Sequence, residues 1–158
     1  MRKFAANYLI DEAGVFLKNG IVVTQDNGTI LRMIDTKGDL RETEQLIFYN
    51  GILLAGCFLT KITEATSSFE SDQPFRSFVL RSIAGMTKFS IQNLIDLGKQ
   101  VQVQFPEMTI PSILNEISDV LLTNAGFTNE DISGIYLING VDLSELRFTP
   151  KCRLKKIL

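Results

Sequence analysis

Side chains that could do chemistry at neutral pH are few here, and their spacing singles out no reaction. The sequence contains no histidine, which removes the commonest general base near neutral pH and the commonest transition-metal ligand. Cys57 and Cys152 are the only cysteines, too few for a disulfide framework or a four-thiolate zinc site. Neither has a histidine to form a thiolate pair, so both read as reduced structural thiols. Lys61 can serve as a Schiff-base or general-base lysine only if it is buried, and a lysine beside a loop is ordinarily a solvated cation. Glu64, Glu70 and Asp72 lie close together in a polar stretch, but acid–base work by such a pair requires a cleft to hold it. Glu130 and Asp131 precede a strand-like run and read as turn residues. No Gly-x-Gly-x-x-Gly or Walker-type loop occurs, so phosphate lacks its usual backbone cradle.

The totals are those of a folded globular chain. The 158 residues suit one ordinary domain with a small helical annex. With 45% hydrophobic and 22% charged residues, the chain can bury a core. Sixteen basic and eighteen acidic residues leave a net charge of -2, so no global basic field drives nucleic-acid binding. The one basic cluster, Lys151, Arg153, Lys155 and Lys156, alternates with Cys152, Leu154 and Ile157, which fits a strand with one solvated face better than a phosphate patch. No run reaches the eighteen or so apolar residues of a membrane span. Met1 to Asn7 lack the apolar run and small-residue cleavage site of a signal peptide. The expectation is a cytoplasmic location, with no membrane and no nucleic-acid partner.

The elements expected to carry these residues fall in three blocks. Phe4 to Ile10, Val15 to Lys18, Ile21 to Thr24, Thr29 to Asp35 and Leu46 to Leu59 read as strands. Asn27-Gly28 is a hairpin turn, because both residues tolerate positive φ. Asn19-Gly20 is either a second hairpin or a bend within one longer strand. Ala65 to Pro74 reads as a surface loop, and Phe75 to Ile83 as a short helix. Ser90 caps a helix with Ile91, Leu94, Ile95 and Val101 on one face, ended by Pro106. Pro111 opens another, whose stripe is Ile113, Leu114, Ile117, Val120 and Leu121, closed by Gly126. Ile135 to Asn139, Leu146 to Phe148 and Arg153 to Ile157 return to extended structure. Strands at both ends around a helical middle predict one sheet system assembled from both chain ends.

Several of these segments together resemble the metal-dependent amidohydrolase superfamily. Tyr8 to Ile10, Leu17-Lys18-Asn19-Gly20-Ile21-Val22-Val23 and Asp26-Asn27-Gly28-Thr29-Ile30 resemble its N-terminal strands. Phe48-Tyr49-Asn50-Gly51-Ile52-Leu53-Leu54-Ala55-Gly56 looks like its approach to the catalytic barrel. Phe105-Pro106-Glu107-Met108 looks like its last helical segments. Ile135 to Leu143 and Leu146 to Pro150 resemble its closing strands. The likeness covers roughly Arg2 to Gly56 and, less evenly, Ser90 to Leu158.

It implies an α+β chain: a composite β-sandwich from residues 1–59 and 133–158, with 60–132 as linker and an insertion of two to three helices. The family's barrel needs about 200 residues or more, and only some thirty separate the two similar regions here. Counting from Gly56 places Lys61 and Thr63 where the family has its His-x-His ligands. An ammonium has no lone pair to give, and threonine is a poor ligand for zinc or iron.

The resemblance therefore implies a non-catalytic relative, with no catalytic, cofactor-binding or metal-binding residue and no cofactor. Two functions follow from different classes. One is a scaffold, interaction or regulatory domain, a homodimer or partner-bound through the former barrel-facing surface, because a sandwich stripped of its barrel exposes an apolar face. The other is a small-ligand module or metal-independent hydrolase acting near Lys61, which needs a polar pocket there. A decayed paralogue with no activity of its own is a third possibility.

Overall fold

The computed structural model describes residues 1–11, 14–55, 73–86, 88–123, 128–129 and 134–158. The order is β1 (Arg2–Ile10), β2 (Phe16–Lys18), β3 (Ile21–Thr24), β4 (Ile30–Ile34) and β5 (Leu46–Ala55). Then come α1 (Gln73–Ser82), β6 (Lys88–Phe89), α2 (Ile91–Gln104), α3 (Ile110–Thr123), β7 (Thr128–Asn129), β8 (Ile135–Asn139) and β9 (Arg153–Lys156). The chain is α+β, with strands at both ends and helices between. Lys61, Thr63, Cys57, the carboxylates Glu64, Glu70 and Asp72, and the turn residues Glu130 and Asp131 lie outside the described residues, as do most of the expected Ala65 to Pro74 loop and the helix stop at Gly126.

Seven strands form one hydrogen-bonded sheet in the order β4-β3-β1-β5-β8-β9, with β2 also on β1. β5 runs parallel to β1, and β8 joins the far side of β5 antiparallel, so both chain ends meet in a single sheet. Among the described residues the strands of both chain ends share this one sheet, which is creased, while β6 and β7 pair apart from it.

The β1–β5 register shifts between Ala6 and Tyr8, where Asn50 and Gly51 of β5 stand against Asn7 alone. At the same level Asn19 and Gly20 separate β2 from β3, which follow one another along the same edge of β1. On the other side Gly51 takes φ +143 within β5. Asn7 links the three strands. Its carbonyl accepts the Asn19 N–H at 2.9 Å, and its Oδ1 accepts the Gly51 N–H at 2.8 Å. Bulges are how a strand passes from one layer of a sheet system to the other.

The crease lets one sheet supply both walls of a core. Phe4, Ala6 and Val22 from the N-terminal half pack with Leu9, Leu53, Ile135 and Leu137 from the other. Leu158 closes this core against the β3–β4 turn: a Cβ on Gly28 would stand 3.4 Å from its Cγ. Asn19-Gly20 is therefore the bend of the two alternatives, because β2 and β3 do not pair with each other. A Cβ at Gly20 would come within 2.8 Å of Leu9 Cβ.

Asn27-Gly28 does make a hairpin, by a narrower mechanism than two left-handed residues. Only Gly28 is left-handed, at φ +92. Its N–H closes a tight turn on the Gln25 carbonyl, and the Gln25 N–H returns to Thr29. This is the three-residue loop with a terminal left-handed glycine.

The opposite face of the sheet is covered by the helices. Ile10, Ile52, Leu54 and Ile138 meet Phe75 and Val79 of α1, Leu94, Ile95 and Val101 of α2, and Ile110, Ile113, Ile117 and Val120 of α3. Each fully buried side chain of this size contributes about 1.5–3 kcal/mol. Ser90 caps α2 as expected. Its Oγ accepts the Asn93 N–H at 3.1 Å while Asn93 Oδ1 takes the Ser90 N–H. Residue three of the box is asparagine where glutamate or glutamine is usual. Of the runs expected to be extended, Leu46 to Leu59 and Arg153 to Ile157, the described residues Leu46–Ala55 and Arg153–Lys156 form strands. Leu146 is a correction: it sits at φ +52 in a turn, and only Arg147 makes a bridge, to Asp142.

Candidate functional site

Among the described residues a concavity lies where α2 meets the segment between β8 and β9. It is an open notch of about 430 Å³ whose walls include Lys99, Gln102, Val103, Phe148, Thr149 and Pro150. Its floor exists because Gly98 has no side chain. The Phe148 ring lies over that glycine, and a Cβ there would approach Cε2 to 2.7 Å.

Gln102 holds the walls together. Its amide nitrogen donates to the Met108 carbonyl at 2.8 Å and less closely to those of Phe105 and Pro106, which follow the end of α2. Its Oε1 accepts the Phe148 N–H at 3.0 Å. A buried amide with both ends occupied is a structural tie. The Ile110 N–H, at the start of α3, reaches the Leu146 carbonyl at 2.7 Å. The floor segment is thus fastened to two helices.

The polar groups around the notch are tied into the backbone. Lys99 Nζ donates to the Cys152 carbonyl at 3.2 Å. Cys152 is a buried free thiol, as the sequence reading expects for it; its sulfur accepts the Thr149 N–H at 3.3 Å and donates to the Gly140 carbonyl. Asp142 turns the chain before Phe148. Its Oδ1 takes the Ser144 hydroxyl at 2.8 Å and the N–H groups of Ser144 and Glu145. These bonds, the Ser144 hydroxyl foremost and Glu145 next, with a smaller contribution from the charge of Arg147, hold its carboxyl below the ordinary value of 3.8. A carboxylate fixed in that form is a turn anchor rather than a proton donor near neutral pH.

No nucleophile–base pair converges on the notch. Among the described residues, no three His, Cys, Asp or Glu side chains gather where they could hold a metal ion. Among the same residues, no helix is long and apolar enough to cross a membrane.

The notch is joined to a cationic strand. β9 is the last strand on its side of the sheet, and Lys151, Arg153, Lys155 and Lys156 are all exposed. Pairing with β8 puts Lys155 opposite Leu137 and Lys156 opposite Tyr136, so cations project from both faces rather than from one solvated face. Lys156 Nζ lies 5.9 Å from the centre of the Tyr136 ring. The alternation in the sequence marks the strand; that Lys99 and an apolar notch adjoin it comes only from the packing of α2. Comparison with protein-family models, with curated proteins and with solved structures finds no match for this chain.

Proposed function

We propose that this chain is a non-catalytic interaction or scaffold module, derived from an amidohydrolase-type composite domain that has lost its barrel. The crease is the observation that supports this reading best. Two segments that carry the resemblance, around Asn19-Gly20 and Asn50-Gly51, are where β2–β3 and β5 bend, and Asn7 ties them together. The family's composite domain likewise joins its two chain ends, and here strands from both ends share one sheet. The interaction role draws on the surface. α1, α2 and α3 cover the face whose exposure motivated a dimer, so binding falls to edges and exposed apolar side chains. Phe48 on β5 is 47% exposed and Val103 on α2 is 75% exposed.

The reading is tested by assaying amide and lactam hydrolysis before and after loading with zinc. The expected result is no turnover above buffer under either condition. Zinc-dependent turnover that purification cannot separate from the protein would overturn it. Light scattering after size exclusion tests the dimer: a strict monomer at high concentration leaves a separate partner protein as the occupant.

A further inference from the structure

We propose that the outer edge of β9, with the notch beside it, is a docking site for an extended acidic segment of a partner protein carrying one bulky apolar residue. This rests on the interaction-module reading and names the chemistry of its partner.

The edge is chemically one-sided. Lys99, Lys151, Arg153, Lys155 and Lys156 have no carboxylate within ion-pair distance among the described residues. β9 pairs on one side with β8 and with no described strand on the other. An added strand would gain main-chain hydrogen bonds there, the usual source of affinity in strand addition. Because cations stand on both faces of β9, acidic side chains on either face of that strand would meet one.

Like charge also decides against the obvious competitor. A second β9 would bring lysines against lysines, the device by which edge strands avoid pairing with themselves. The same charges that reject a second copy favour an anionic strand.

The notch supplies what charge cannot. Pro150 and Thr149 lead straight into Lys151 and β9, and Lys99 reaches the Cys152 carbonyl at the strand's start. Val103, 75% exposed, with Phe148 and Pro150, offers an apolar seat for one side chain. An anchor in a pocket with charges along its rim is the usual division between affinity and orientation at interfaces.

The test is fluorescence anisotropy with a labelled twelve-residue peptide rich in glutamate and carrying one phenylalanine near its end. It is run beside a glutamine version and a version with alternate backbone amides methylated. The expected result is saturable, salt-sensitive binding, weakened at least tenfold by either modification and by the R153E/K155E double substitution. V103D should weaken it tenfold as well. Circular dichroism melts check that both variants remain folded. Equal binding of the methylated peptide overturns strand addition, and equal binding by R153E/K155E overturns the charge argument. No binding of any of these peptides overturns the site, and so does tighter binding of an oligothymidine that displaces the peptide, which would make the edge a nucleic-acid surface. None of these outcomes bears on hydrolysis, so failure here is distinguishable from failure of the non-catalytic reading.

Discussion

The side-chain oxygen of Asn7 accepts the backbone N–H of Gly51 at 2.8 Å, joining two parallel strands at the level where both break their register. Removing the oxygen leaves a half-buried N–H without its partner at the crease. Asn7→Ala should cost about 1–3 kcal/mol. Gly51→Ala should cost more, on the order of 3 kcal/mol or above, because φ is +143 there and the new methyl would meet the Ile138 carbonyl. Urea denaturation measures both. Wild-type stability in Gly51→Ala would mean that β5 does not kink there.

Gly98 offers a test in which two effects oppose each other. In a helix interior, alanine is favoured over glycine by up to about 1 kcal/mol. Here the methyl would meet the Phe148 ring at 2.7 Å, and overpacking of that kind costs about 1–3 kcal/mol. Gly98→Ala should therefore be destabilising on balance, and Phe148→Leu in the same chain should recover part of the loss. A stabilised Gly98→Ala would place Phe148 elsewhere.

Gln102 satisfies carbonyls beyond the end of α2 and the Phe148 N–H together. Gln102→Ala strands these groups, at a cost of about 1–3 kcal/mol. Hydrogen exchange should localise the change, with the Phe148 amide protected in the wild type and exchanging markedly faster in the variant. Unchanged protection would show that Gln102 is not the tie.

Asp142 gives a pH signature whose sign follows from the direction of its shift. The folded chain holds this carboxyl below 3.8, so it binds a proton less readily than the unfolded chain does. Its contribution is complete above the unfolded value and is lost as pH falls through the folded one. Asp142→Asn removes the contribution. The stability gap between wild type and variant should be level from about pH 7 to 5 and shrink below about pH 4. A gap that widens on acidification would contradict the hydrogen bonds drawn to Ser144 and Glu145.

Local patterns were legible in the sequence and non-local pairings were not. Ile21 to Thr24 and Ile135 to Asn139 follow from their apolar runs, and Ser90 and Pro111 mark the starts of α2 and α3, because each depends on neighbouring residues. That β5 lies parallel to β1, or that Asn7 meets Gly51, depends on residues forty-four positions apart, which no periodicity reports. One sheet from both chain ends was expected from the strand blocks, but its crease and its parallel pairing were missed for that reason. The notch was missed too: Phe148 read as part of a strand, whereas its position is set by Gly98 and Gln102 on a distant helix. The chemistry expected around Lys61 falls outside the described residues.

The absence of metal-dependent hydrolysis is the central claim, and zinc stoichiometry tests it most directly. After expression in zinc-supplemented medium and extensive dialysis, the protein should retain far less than one zinc per chain by elemental analysis. It should also show no saturable uptake in a calorimetric titration. One tightly held zinc per chain, lost together with an amide-hydrolysing activity on chelation, would contradict the account.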